Sequence, residues 1–274
     1  MSLDQRLGTP IALATQKIIA EVDDGIGWVT FNQPEKRNAM SMEMWQGLGD
    51  ALEAFQRDDA VRVVVMKGAG GRAFVSGADI SEFDQNRANA EQKATYGAAT
   101  AHGNRWLRKL DKPLIAMIQG FCIGGGLATA LAADVRIATP ESVFGIPAAK
   151  LGLGYDYGGL ATLARLVGPS TAKDILFSAR FLDAEEALRV GIINRIVPVA
   201  DLESEVRAYA ALIAGNAPMT VRAAKAAIQE WEREPSERNL ARVEALVNAC
   251  FDSADYAEGR RAFAEKRKPR FEGR

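Results

Sequence analysis

The chain has 274 residues, with 34 Lys plus Arg against 35 Asp plus Glu and a formal net charge of −1, a balance that gives no support to a nucleic-acid or membrane-surface partner. With 48% hydrophobic and 25% charged residues, 25 Gly and 10 Pro, it has an ordinary globular composition and can bury a core without a metal or disulfide staple. Cys122 and Cys250 stand far apart with no CxxC spacing and His102 is the only histidine, which argues against a disulfide scaffold and an imidazole-rich metal site and for a reducing, cytoplasmic compartment.

Residues 1–16 lack a basic stretch followed by a long apolar one, so no secretory signal is expected. Apolar runs at 17–22 and 26–31 flank Asp23-Asp24-Gly25, the pattern of a β-hairpin. Ser41 can cap a helix whose Met44, Leu48, Leu52 and Phe55 recur at helical spacing. Residues 61–67 form a valine-rich run with little alternation, as in a strand covered on both faces. A glycine loop over 68–77 leads to a helical stretch, first capped at Asp79 and reaching about Leu110, and then to a short strand at 114–118.

Residues 113–133 carry no charge and are long enough to suggest a membrane span, yet Gly124-Gly125-Gly126 in their midst reads as a turn between two buried elements. The glycine triple opens an alanine-rich helix ending near Asp134, followed by short strands at 135–138 and 143–146. Beyond Gly158 the pattern is mainly helical. Asp183 and Glu186 make a capping-box-like start, Asp201 can cap a helix towards Ala214, and 219–231 and 237–250 continue the pattern. No linker separates the halves, so an α/β core over 1–199 is expected with a helical part, 200–274, packed on it or on a neighbouring subunit.

Gly68-Ala69-Gly70-Gly71-Arg72-Ala73 fits G-x-G-x-x-A after a strand. A dinucleotide site needs a helix to begin inside that motif, and Phe74-Val75-Ser76-Gly77-Ala78 reads instead as strand or loop, which sets a nicotinamide-dependent oxidoreductase aside. The chain holds neither a P-loop nor a GxSxG serine motif. Gly124-Gly125-Gly126 admits two readings: a helix N-terminus whose free N–H groups hold an oxygen of developing negative charge, or a tight turn under close helix packing.

Phe74-Val75-Ser76-Gly77-Ala78-Asp79-Ile80 and Ile118-Gln119-Gly120-Phe121-Cys122-Ile123-Gly124-Gly125-Gly126 together resemble the paired signatures of the crotonase superfamily, the enoyl-CoA hydratases and isomerases. The resemblance includes Asn32-Gln33-Pro34-Glu35-Lys36-Arg37-Asn38-Ala39-Met40-Ser41 and Phe263-Ala264-Glu265-Lys266-Arg267, and spans roughly residues 17–271. It implies an α/β fold with a crotonase-type β-β-α spiral core, a helical C-terminal trimerisation region, and a homotrimer or dimer of trimers. It also implies stabilisation of an acyl-CoA thioester enolate, with no cofactor other than the coenzyme A that the substrate carries. By motif position the oxyanion hole would be the backbone N–H groups of Ala78 and Gly125. Coenzyme A would lie along Lys36, Arg37, Ser76 and Ala78, with Lys266 reaching its phosphates, often from a neighbouring subunit.

Hydratases of this family resemble one another in two glutamates that handle the added water, and the matching positions here are Ala128 and Ala148. Ordinary two-glutamate hydration is therefore not carried over. Glu141 lies nearby in sequence but reads as a surface residue. Asp156, within Leu151-Gly152-Leu153-Gly154-Tyr155-Asp156-Tyr157-Gly158-Gly159, stands where the family's chain reaches the acyl pocket, and the segment is similar to that of the chlorobenzoyl-CoA dehalogenases, whose aspartate is the nucleophile. Those enzymes also carry a histidine on the helix that here holds His102, although a core or interface role for His102 leads, and Ala148 replaces their tryptophan. Tyr155 and Tyr157 are either pocket donors or aromatic packing. The expected chemistry is hydratase/isomerase-like acid–base work centred on Asp156. The alternatives are hydrolysis or dehalogenation through Asp156, and a CoA-thioester-binding protein without turnover.

Overall fold

The computed structural model describes residues 8–79 and 90–274. Its first strands are β1 (Thr9–Ile11), β2 (Ile18–Asp23) and β3 (Ile26–Phe31), all antiparallel. The expected hairpin closes through a two-residue turn, Asp24 and Gly25, both at positive φ, and the pairing Asp23 to Ile26 sets its register. Helix α1 (Met42–Arg57) begins at Ser41, whose side chain accepts from Met44 N–H, and buries Met44, Leu48, Leu52 and Phe55.

From here the chain repeats one unit. Strand β4 (Val63–Gly68) is followed by β5 (Ala73–Val75) and helix α2 (Ala90–Lys109). Then come β6 (Leu114–Ile118), β7 (Phe121–Ile123) and α3 (Gly125–Leu131), and after them β8 (Val135–Ala138), β9 (Val143–Gly145) and α4 (Tyr157–Ser178). Each unit gives its first strand to one sheet and its second to another. With β10 (Arg195–Ile196), the larger sheet runs β1-β2-β3-β4-β6-β8-β10, parallel from β3 onwards, and the smaller runs β5-β7-β9, all parallel. That alternation is a β-β-α spiral.

The valine run of β4 has its explanation in the two cores. Val64 and Met66 join the larger cluster, with α1 and the β5-β7-β9 sheet, whereas Val63 and Val65 join Ile26, Trp28, Ile115 and Ile137 beneath helix α6 (Leu202–Ala214), which supplies Leu202, Val206 and Ala210. Between α4 and α6 lies the short α5 (Ala184–Arg189), and the Asp183 side chain accepts from Glu186 N–H as the capping-box pattern predicts. Beyond α6 come α7 (Pro218–Trp231), α8 (Leu240–Phe251) and α9 (Ala254–Ala264).

Several expectations need correction. The uncharged 113–133 stretch is β6, β7 and α3, and among the described residues no helix is long and apolar enough to cross a membrane. Strand β7 gave no sequence signal, because three residues are too few to show a period. Helix α3 stops at Leu131, short of Asp134. Asp201 precedes α6 without a side-chain capping bond, and the residues before α8 form a separate 3₁₀ turn, Pro235–Glu237. Asp79 is the last described residue of this segment, and the helix start expected after it falls on residues outside those described.

Candidate active site

The site is assembled from two backbone segments. The first, residues 33–41, is a scaffold organised by Asn38, which is fully buried and sits at φ 56°. Its amide donates to Ala69 O at 3.0 Å and Ala73 O at 2.8 Å, and its carbonyl accepts from Gln33 N–H at 2.9 Å. Asparagine tolerates this left-handed conformation and carries both donors and an acceptor, so one side chain ties the scaffold to the glycine loop. Met40 then clamps the following turn: its N–H donates to Gly77 O at 2.8 Å and its carbonyl accepts from Asp79 N–H at 2.9 Å. Between those two bonds the N–H of Ala78 faces away from Met40, and among the described residues no group accepts from it.

The second segment is the N-terminus of α3. Gly124 holds φ 56° and ψ −118°, which L side chains rarely adopt, with its N–H on Gly145 O at 2.8 Å. Gly125 is the first helical residue, so its N–H has no partner within the helix. At Gly126 an added Cβ would lie 2.0 Å from Val75 O, so only glycine lets α3 sit this close to β5. The close approach carries Gly125 to the Gly77–Ala78 turn: a Cβ on Gly125 would stand 3.9 Å from Ala78 N. Two backbone N–H groups without acceptors thus lie side by side, an arrangement able to hold one negatively charged oxygen. The tight-turn reading of the glycine triple holds, and the same packing leaves the Gly125 N–H beside that of Ala78.

Around this pair, Lys36, Arg37, Ser76 and Ala78 come together as expected. Ser76 N–H donates to Arg37 O at 3.1 Å, and its hydroxyl to Lys36 O at 3.4 Å. Both basic side chains are exposed but engaged: Lys36 Nζ lies 2.7 Å from Asp79, and the Arg37 guanidinium is 5.0 Å from the Phe121 ring centre. Lys266 sits apart on the exposed end of α9, and among the described residues no hydrogen bond or ion pair joins it to the 36–79 region. Gly68-Ala69-Gly70-Gly71-Arg72-Ala73 passes from β4 through one 3₁₀ turn into β5, so it has no helix N-terminus for a dinucleotide.

The two positions that the resemblance pairs with the family's glutamates hold alanines. Ala128 lies one turn into α3 with its N–H on Gly124 O, and Ala148 is buried in the 3₁₀ segment Pro147–Leu151. Glu141 is exposed. Asp156 is exposed at the head of α4, where its side chain makes no capping bond, and Tyr157 is 79% exposed. Tyr155 differs. It packs against the main core, and its hydroxyl lies 3.4 Å from where a Gly124 Cβ would be. His102 belongs elsewhere: its Nε2 lies 2.9 Å from Asp50, and its ring occupies the space a Gly49 side chain would need, at the contact of α1 and α2. Among the described residues no cluster of three or more His, Cys, Asp or Glu is placed to hold a metal, and both cysteines are free.

A β-β-α spiral presenting two acceptor-free N–H groups on facing glycine turns defines the crotonase fold. The family described as enoyl-CoA hydratase/isomerase matches residues 21–274, and the chain belongs to it. It is 35% identical over 259 residues to a crotonyl-CoA hydratase of Syntrophomonas wolfei, covering 94% of this chain and 99% of that one. It is likewise 35% identical over 247 residues to a carnitinyl-CoA dehydratase of Proteus mirabilis, covering 87% and 92%. Among solved structures, an enoyl-CoA hydratase/carnithine racemase from Magnetospirillum magneticum superposes with a TM-score of 0.89 at 38% identity, covering 95% of this chain and 97% of that one.

The structure brings together Lys36, Arg37, Ser76, Ala78 and Gly125, as the resemblance implied. The sequence did not mark Asn38 as organiser, although an asparagine ahead of a glycine loop was a readable signal. It also gave no hint that, of the two tyrosines, Tyr155 is the one against Gly124, because that proximity joins positions far apart in the chain.

Proposed function

We propose that this protein acts on acyl-CoA thioesters by stabilising the thioester enolate between the N–H groups of Ala78 and Gly125, with Asp156 as the acid–base group. The observation that supports this reading is the adjacent pair of acceptor-free N–H groups. Such donors favour an enolate oxygen over a neutral carbonyl, because they bind more strongly as negative charge develops. The exposed backbone turn of Lys36, Arg37 and Ser76 is the rim along which the coenzyme A portion lies. We further propose a homotrimer or dimer of trimers, in which a neighbouring copy brings its Lys266 to the phosphates. Exposed Ile228, Trp231, Leu240, Phe251 and Phe263 on α7, α8 and α9 are the apolar surface such an assembly would cover.

Because alanines stand at 128 and 148, hydration of crotonyl-CoA is expected to be slow. General acid–base assistance contributes about 10² to 10⁴-fold, so the deficit is visible as slow loss of the conjugated thioester's absorbance. The residual rate should fall further in Asp156→Asn, which keeps the shape and removes the base. Rapid hydration that survives Asp156→Asn would overturn the assignment of Asp156. Calorimetric binding of the free acid as tight as that of its thioester would overturn the acyl-CoA reading.

A further inference from the structure

We propose that the hydroxyl of Tyr155 is the proton donor of this site, delivering its proton to the α-carbon of the bound enolate. The inference rests on the enolate reading above and deepens it.

Three observations carry it. First, position: the Tyr155 hydroxyl oxygen lies 3.4 Å from where a Gly124 Cβ would stand, and Gly77 Cα lies 3.9 Å from the same point. The hydroxyl is therefore beside the Gly124 turn, near a point that Gly77 Cα also approaches, and the next residues of the two turns, Ala78 and Gly125, carry the N–H pair. Second, fixation: Tyr155 is part-buried and packed on the main core, whereas Asp156 and Tyr157 beside it are exposed. Third, chemistry: the α3 and 3₁₀ segments present Ala128 and Ala148, which have no exchangeable side-chain proton, so among the described residues the hydroxyl is the side-chain donor closest to the Gly124 turn. A phenol hydroxyl carries a proton that it can donate.

The step balances with water alone. Asp156 takes the α-proton, and the C–H electron pair becomes the enolate π bond as charge moves to the thioester oxygen. In the return, the π electrons form a new C–H bond with the Tyr155 proton, the phenolate recovers a proton from water, and the hydroxide so formed takes the proton held by Asp156, which restores the carboxylate. In deuterated water the recovered proton is a deuteron, so the cycle labels the α-carbon of a saturated thioester without needing any further reaction.

The test is α-proton exchange of butyryl-CoA in D₂O, followed by mass spectrometry, for the wild type and Tyr155→Phe, with butyryl-CoA affinity measured by calorimetry. Loss of one oxygen leaves the ring packing in place, and a thermal melt checks the fold. The expected result is exchange about 10²-fold slower in Tyr155→Phe with affinity within about twofold. Exchange that persists in Tyr155→Phe overturns the role of Tyr155 and leaves the enolate reading standing. Rate and affinity falling together also overturn it, since Tyr155 would then be part of the binding wall. A wild type that binds butyryl-CoA without exchanging it overturns the enolate reading and this inference with it.

Discussion

Gly125 contributes to this site through an atom that no side-chain substitution removes except proline. Replacing Gly125 by Pro deletes the N–H at the first helical position, where proline's fixed φ is tolerated, and so takes away half of the donor pair while α3 keeps its place. One such donor is worth roughly 3 kcal/mol, so turnover should fall about 10²-fold with acyl-CoA binding little changed. A folded Gly125→Pro variant with unchanged turnover would show that the pair does not hold the reacting oxygen. Most of this residue-scale chemistry was legible in the sequence, because glycines before a helix and a capped helix at Ser41 announce themselves locally. Asn38 was less legible: its three hydrogen bonds reach Gln33, Ala69 and Ala73, and only the folded chain brings those groups together.

At the scale of elements, legibility followed length and local chemistry. The β2–β3 hairpin and α1 each carry a period long enough to read, and a DG turn or a serine cap to bound it. Strands of three residues such as β5, β7 and β9 are defined by their parallel neighbours rather than by their own pattern. The stretch after α9 is likewise held by contacts at a distance. Glu258 accepts from Arg267 at 2.6 and 3.0 Å, from Arg261, and from the backbone N–H of Arg270 at 3.0 Å, while Asp255 accepts from Glu272 and Gly273 N–H. The Arg267 and Arg261 guanidiniums, with the Arg270 N–H, hold the Glu258 carboxyl far below its ordinary 4.5. A carboxylate with a lowered folded pKa stabilises fully above its unfolded value and loses that contribution as pH falls towards the folded one. Residues 267–273 should therefore loosen as pH drops below about 4.5, seen as faster amide hydrogen exchange after correction for the intrinsic rate. Glu258→Gln should give the same loosening at pH 7, and protection unchanged in both cases would rule the carboxylate out as the anchor.

For the whole molecule, the exposed apolar residues of α7–α9 bear on assembly and on binding together. Trp231 is 72% exposed in the isolated chain, and Trp231→Glu should shift sedimentation from trimer or hexamer towards monomer. Because no hydrogen bond or ion pair joins Lys266 to the Lys36–Ser76 rim among the described residues, loss of assembly should weaken acyl-CoA binding much as Lys266→Ala does, with little change in the chemical step. A dissociated variant that binds as tightly as the assembly would place the phosphate contact within a single chain. No sequence pattern could separate these readings, since an exposed apolar helix face looks the same whatever covers it.

The approach of Gly126 to Val75 also bears on how freely this chain can drift. With an added Cβ only 2.0 Å from Val75 O, position 126 is closed to every residue that has a side chain. Part-exposed Ala128 and exposed Asp156 stand at the surface of this frame, so their side chains can be exchanged with less disturbance to it. A lineage can then vary the side chains around the two turns and keep the same pair of backbone N–H groups.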